Sequence, residues 1–180
     1  MTFEEKTLKS ERIYEGHIIN LRRDEVTVQN GTSMREIVEH NGGAVLAAVT
    51  DEGKLVMVRQ YRKAAKRVML EVPAGKIDPG EAPETTAKRE LKEETGYTPK
   101  HVRFLMQFFP SVGYSEEILY LYLCTGLAAG ETHFDENEAL DIEEYEIDEL
   151  YEMVMAGKIE DAKTIIAILT VKKLMEEGVP

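Results

Sequence analysis

From residue 7 to residue 39, apolar side chains (Ile13, Tyr14, Ile18, Ile19, Val26, Val28, Ile37, Val38) recur in short runs broken by Gly16 and by Asn30-Gly31. Such runs predict strands, and an Asn-Gly pair between two of them predicts a hairpin turn. Three more runs, at residues 44–50, 55–60 and 68–72, predict further strands, with Asp51-Glu-Gly53 turning the chain after the first. The period then changes. Residues 83–94 predict a helix, because Pro83 suits a first turn whose N–H needs no partner and Gly96 suits the position just past a helix end. Strands resume at 102–108 and 118–124, and the acidic segment 131–144 reads as a loop. Residues 148–155 and 161–176 predict two last helices, the second with Ile165, Ile166, Ile168, Leu169 and Leu174 in a broad apolar stripe. With no repeat, low-complexity tract or Pro/Ser-rich linker in the sequence, the only predicted boundary lies at residues 41–43. It separates a β-rich region, 1–42, from a main domain, 43–180.

Composition narrows what these elements can do. A chain of 180 residues with 43% hydrophobic content can bury a real core. A run of about 18 apolar residues, the length a spanning helix needs, does not occur, and the first residues lack the basic-then-apolar order of a signal peptide. The expected location is therefore cytoplasmic. A formal net charge of −12 opposes broad binding to nucleic acid or to an anionic membrane and points to small-molecule partners. The single cysteine, Cys124, excludes an internal disulfide and a cysteine metal cluster, and its apolar neighbours assign it to the core. His17, His40, His101 and His133 show no metal-ligand spacing. Met153, Met155 and Met175 are expected between helices, and Phe104, Phe108, Phe109 and Tyr114 mainly in the core.

The predicted helix 83–94 carries the chemistry. Successive helical residues turn by roughly 100°, so Glu90, Glu93 and Glu94 fall on one face, within an arc of about 100°. Like charges so close destabilise a helix unless a cation sits among them, and an oxygen-only donor set suits Mg²⁺ or Mn²⁺ rather than zinc. A solvated acidic face balanced by Lys88, Arg89 and Lys92 is the plainer alternative. The wider spacing decides between them: Gly75, five residues, Glu81, seven residues, Arg89-Glu90-Leu91, one residue, Glu93-Glu94, one residue, Gly96-Tyr97. At average residue frequencies a chance match to its seven Gly, Glu and Arg positions is on the order of one in a million.

This spacing resembles the Nudix box, with Tyr97 in place of the usual aliphatic last residue. The resemblance implies an α/β fold, a Nudix α/β/α sandwich with a mixed sheet, preceded here by a small antiparallel β region used for dimerisation. It implies Glu90, Glu93, Glu94, the Ala74 carbonyl and an auxiliary Glu138 as metal ligands, with Mg²⁺ as cofactor and Mn²⁺ as the alternative. Arg89 orients a neighbouring glutamate, while Gly75 and Gly96 serve backbone geometry. The cations would neutralise phosphate oxygens and acidify an attacking water.

Outside the box, Val58-Arg-Gln-Tyr-Arg62, Leu70-Glu-Val-Pro-Ala-Gly75 and Phe109-Pro-Ser-Val-Gly-Tyr-Ser-Glu116 resemble the ADP-ribose pyrophosphatase branch of that family. That resemblance implies hydrolysis of ADP-ribose to AMP and ribose 5-phosphate, with Arg59 and Arg62 as substrate contacts. It also implies a homodimer in which Arg35 completes the partner's site. In the acidic segment Asp135-Glu-Asn-Glu138 it points to Glu136 as general base. Two alternatives stay open: a pyrophosphatase for another nucleoside diphosphate sugar or dinucleotide, and a nucleotide-sensing domain without turnover. The complete glutamate set disfavours the second.

Overall fold

The computed structural model describes residues 3–133 and 139–178. The chain forms two compact units, Met1–Gly42 with Phe109–Ile118, and Gly43–Phe108 with Leu119–Pro180.

In the first unit, β1 (Thr7–Glu15), β2 (Asn20–Val28) and β3 (Gly31–Glu39) make an antiparallel sheet in that order. The β2–β3 hairpin turns on Gln29-Asn30, one residue earlier than the Asn-Gly pair predicts, with Val28 opposite Gly31. Gly31, at φ 115°, opens β3 in a conformation that side chains avoid. Burial in this sheet is slight. β1 is exposed along its whole length, and β2 buries only Asp24 and Val26. Polar bonds add to the ladder: Arg22 donates to Asp24 (3.0 Å), Glu39 (2.8 Å) and Glu116 (2.5 Å), and Ser10 Oγ donates to Asp24 (2.6 Å).

The second unit is built on strands buried from both sides. β4 (Gly43–Ala48) pairs in parallel with β9 (Leu119–Ala128). The short β7 (Ala74–Lys76) and the edge strand β8 (Thr98–Phe108) flank them antiparallel, in the order β7-β4-β9-β8. Alternation along β4 sends Ala44, Leu46 and Ala48 to one face and Val45, Ala47 and the following Val49 to the other. The first face packs on α1 (Pro83–Thr95) through Ala87 and Leu91. The second packs on α2 (Ile147–Met155) and α3 (Ala162–Glu176) through Leu150, Ala167, Ile168 and Val171. Continuous apolar runs are what a parallel pair covered on both faces requires. Beside it, β5 (Lys54–Arg62) is the centre of a second antiparallel sheet, β10-β5-β6, with β6 at Arg67–Glu71 and β10 at Asp141–Glu146. The result is the expected α/β/α sandwich with a mixed sheet, together with an antiparallel sheet of N-terminal strands. None of the described helices is long and apolar enough to cross a membrane.

Three expectations change, and one strand has no counterpart among the predicted elements. The acidic segment read as a loop ends in a strand, since Asp141 to Glu146 pair with Arg59 to Lys54. Carboxylates on both faces hide its period of two. β7, three residues long, is too short for a periodic signal. Phe104, Phe109 and Tyr114 are exposed rather than in the core, Phe104 because β8 is an edge strand, where its ring meets Tyr122 edge-to-face with centroids 5.7 Å apart. Met155 is exposed at the end of α2, while Met153 and Met175 do pack on the core. Cys124 is fully buried, as expected, and burial pushes its thiol up to about 12.

Candidate active site

The ends of α1 are set by the two residues that predict them in the sequence. Pro83 occupies the first turn, and Gly96, at φ 75°, closes the helix with its N–H donating to the Lys92 carbonyl at 2.9 Å. A Cβ on Gly96 would also lie 2.6 Å from the Gly130 carbonyl oxygen. Between these ends Ala87 and Leu91, one turn apart, dock on the sheet, and Glu94 continues the same buried face. A carboxylate in that position needs a donor. The Ala74 N–H supplies one, at 3.1 Å from Glu94 Oε2.

Gly75 follows directly, and its role is steric. An ideal Cβ built there would lie 1.8 Å from Glu90 Cδ, so the Glu90 carboxyl occupies the space that any side chain at position 75 would take. Glycine at the head of the motif is therefore a cradle for the first of the helix glutamates.

Arg89 gathers the remaining carboxylates. Its Nε and Nη2 meet Glu81 Oε1 and Oε2 at 3.2 and 2.9 Å in a two-pronged pair, while Nη1 donates to Glu90 at 2.8 Å and to Glu93 at 2.9 Å. The cation that the glutamate face requires is thus the residue preceding Glu90. Chiefly through its hydrogen bonds to Arg89, helped by the Thr86 hydroxyl (2.7 Å), Glu81 has its pKa pulled down to about 2. The same Glu81 bond raises the Arg89 pKa. Among the described residues no three acidic, imidazole or thiol groups gather on one point, since Arg89 draws Glu90 and Glu93 while Glu94 turns to Ala74. In chemistry the donor set still fits a hard divalent cation: carboxylate oxygens only, in a cradle cleared by a glycine.

A second cluster lies on β5, β6 and α3. Arg62 forms a two-pronged pair with Glu71, both bonds 2.7 Å, and Lys163 Nζ also donates to Glu71. Burial, the largest influence on Glu71, raises its pKa, yet Arg62 and Lys163 together hold it below the ordinary carboxylate value. For Arg62 the Glu71 bond is the main cause of a raised pKa, and the charge of Glu94 acts in the same direction. Arg59 lies three positions before Arg62 and so on the opposite face of β5. Its Nε and Nη2 engage Glu143 at 2.6 and 3.1 Å, and Nη2 also donates to the Tyr145 hydroxyl oxygen at 2.9 Å.

The structure thus brings together Ala74, Arg89, Glu90, Glu93 and Glu94 in the second unit, and it puts Arg59 and Arg62 on separate faces. Arg35 belongs to the first unit, where its Nε donates to Glu5 at 2.9 Å. Glu136 and Glu138 lie outside the described residues. Sequence reasoning missed Glu71, Lys163 and Thr164. A lone carboxylate within the apolar stretch Val68-Met-Leu-Glu-Val72 and an Asp161-x-x-Thr164 helix start were the available signals.

Two family descriptions match the chain: NUDIX domain over residues 40–167, and Nucleoside diphosphate sugar hydrolase N-terminal domain over residues 5–38. The chain belongs to the Nudix family and is a Nudix hydrolase. It is 44% identical to the methanol dehydrogenase activator of Bacillus methanolicus, over 92% of this chain and 91% of the relative. It is 42% identical to the ADP-ribose pyrophosphatase of Bacillus subtilis (strain 168), over 93% and 92% of the two chains. To the ADP-ribose pyrophosphatase of Mycobacterium tuberculosis the identity is 37%, over 92% and 82%. A crystal structure of an ADP compounds hydrolase superposes with a TM-score of 0.86 over 99% of this chain and 98% of the other, at 20% identity, which establishes a shared fold.

Proposed function

We propose that this Nudix hydrolase cleaves the pyrophosphate bond of ADP-ribose, giving AMP and ribose 5-phosphate, with Mg²⁺ held by Glu90, Glu93, Glu94 and the Ala74 carbonyl. The observation that carries the pyrophosphatase reading is the closure of Gly75 on Glu90 beside the Ala74 N–H on Glu94. Likeness to two ADP-ribose pyrophosphatases over more than nine-tenths of this chain supports the substrate.

Divalent cations at this site supply charge neutralisation for the phosphate oxygens and acidify the attacking water. The protein supplies position. Glu94 is held by a backbone donor, and Glu90 is seated against Gly75. Arg89 grips Glu81 with two bonds and orients Glu90 and Glu93 with one each. Glu136 acts as general base and Glu138 as an auxiliary ligand. Arg62 and Arg59 contact the substrate, with Arg35 contributed by the second subunit of a homodimer built through residues 1–42. Assays of Glu136→Gln and Glu138→Gln separately test the base: if both keep kcat, the base lies elsewhere.

One observation favours a second reading. GDP-mannose pyrophosphatases of Yersinia are 30% identical over 84% of this chain, so another nucleoside diphosphate sugar is the alternative substrate. A panel with Mg²⁺ decides between them: ADP-ribose, UDP-glucose, GDP-mannose, NADH and 8-oxo-dGTP. We expect ADP-ribose to give the highest kcat/KM, and a place among the poorest would overturn the substrate while leaving the family intact. Light scattering tests the dimer, and a monomer would remove Arg35 from the site.

A further inference from the structure

We infer that the first turn of α3 is a positioning device for the carboxylate site, acting through the strap of residues 71–75. The strap is held at every residue. The Glu71 carboxylate, in a residue 1% exposed, is clasped by Arg62 and by Lys163 of α3. The Val72 N–H donates to Thr164 Oγ1 at 3.0 Å, and both residues are buried. The Pro73 carbonyl accepts the Leu46 N–H of β4 at 2.9 Å. The Ala74 N–H donates to Glu94, and Gly75 lies against the Glu90 carboxyl.

Both α3 contacts trace back to Asp161. This residue caps α3 by accepting the Thr164 N–H at 3.0 Å, and the same Oδ2 accepts the Thr164 hydroxyl at 2.6 Å and the Lys163 ammonium at 2.9 Å. Because the Thr164 hydroxyl proton is committed to Asp161, its oxygen is left as an acceptor directed at Val72. A cap that only began the helix would need the backbone N–H alone. Here one carboxylate also orients a hydroxyl and an ammonium, and both end on the strap two and three residues before Ala74. Thr164 and Lys163 are positioning residues in this scheme: they touch neither phosphate nor cation, and they set where the Ala74 N–H, and so the Glu94 carboxylate, stands.

The inference rests on Glu94 being a metal ligand, as proposed above, so its test reads cation binding directly as well as turnover. Mn²⁺ affinity is measured by the electron paramagnetic resonance of free Mn²⁺, and kcat and KM are measured separately, in Thr164→Val, Thr164→Ser and Asp161→Asn. Thr164→Val keeps the shape and loses the acceptor. We expect it to weaken Mn²⁺ binding and to lower kcat, each roughly tenfold, the size usual for groups that orient metal ligands, with KM little changed. Thr164→Ser, which restores the hydroxyl, should recover both. Asp161→Asn keeps a helix cap but loses the charge shared by Lys163 and Thr164, and should shift both in the same direction by less; it decides the matter if Thr164→Val does not fold. Wild-type Mn²⁺ affinity and kcat in the folded variants, or a serine variant as impaired as the valine one, would overturn the inference. Failure of the substrate reading shows instead as low ADP-ribose turnover in the wild-type protein, with the Mn²⁺ comparison still deciding the role of α3.

Discussion

The two units are held together by different forces. In the antiparallel sheet β1-β2-β3 the ladder carries most of the order, and side chains add ion pairs around Arg22 while burying little beyond Val26 and Asp24. The sandwich instead encloses two apolar clusters, one on each face of β4 and β9. The polar side chains buried with them are partnered: no buried side-chain nitrogen or oxygen among the described residues lacks a hydrogen bond. Surface pairs are screened by salt and contribute little, whereas a buried pair left half-broken is costly. Polar substitutions should therefore act sharply in the sandwich and softly in the sheet.

Glu71→Ala presses hardest on this contrast. It leaves Arg62 and Lys163 clustered without their shared carboxylate, and a loss of about 3–5 kcal/mol in denaturant unfolding is expected. Its pH dependence has a definite sign. The folded-state pKa of Glu71 lies below that of an ordinary glutamate, so its contribution is fully present above the ordinary value and is lost as pH falls through the lower folded one. Wild-type unfolding measured downward from pH 6 should show this loss, and Glu71→Gln should lack that component of it.

Next in size is Glu94→Gln. It keeps the volume and the bond from Ala74 but removes the charge, and kcat should fall by about 100-fold or more, equivalent to about 2.7 kcal/mol in the barrier. Near-normal turnover would count against the assigned site. Gly75→Ala follows: the added methyl must displace the Glu90 carboxyl, so kcat should drop about tenfold or more with a melting midpoint close to wild type.

In the sheet the expected effects shrink. Arg22→Ala removes three partners at once, but Asp24 keeps its bond from Ser10, so a loss of about 1–3 kcal/mol is expected, measured by unfolding at low salt and diminishing at high salt. Arg23→Ala, which breaks only the exposed pair with Glu11, should leave the melting midpoint unchanged. A change as large as that of Glu71→Ala would mean that the sheet is buried in the working protein and would erase the contrast.

Legibility followed the range of the interactions. Strands buried on both faces, the helix bounded by Pro83 and Gly96, and the last helices were readable because local residue choice and burial agree there. β10 was not, since its pairing with β5 is a non-local event and its carboxylates mask the alternation. Phe104 was misjudged because hydrophobicity does not reveal that β8 lies at a sheet edge. In the site, helix periodicity alone puts Glu90, Glu93 and Glu94 on one face. The partners that hold them come from up to 20 residues away, as Ala74 does for Glu94.

The helix Pro83–Thr95, its glutamate face and its boundaries at Pro83 and Gly96 are properties of consecutive residues, so the sequence determined them by itself. Only the tertiary structure decided that Gly75 must be glycine because the Glu90 carboxyl fills its side-chain space. Only the tertiary structure paired Arg62 with Glu71, and only it bound α3 to the strap through Thr164. The separation of 92 positions between Val72 and Thr164 is the physical reason: their contact exists only once both faces of the sheet are covered, and no local pattern encodes it.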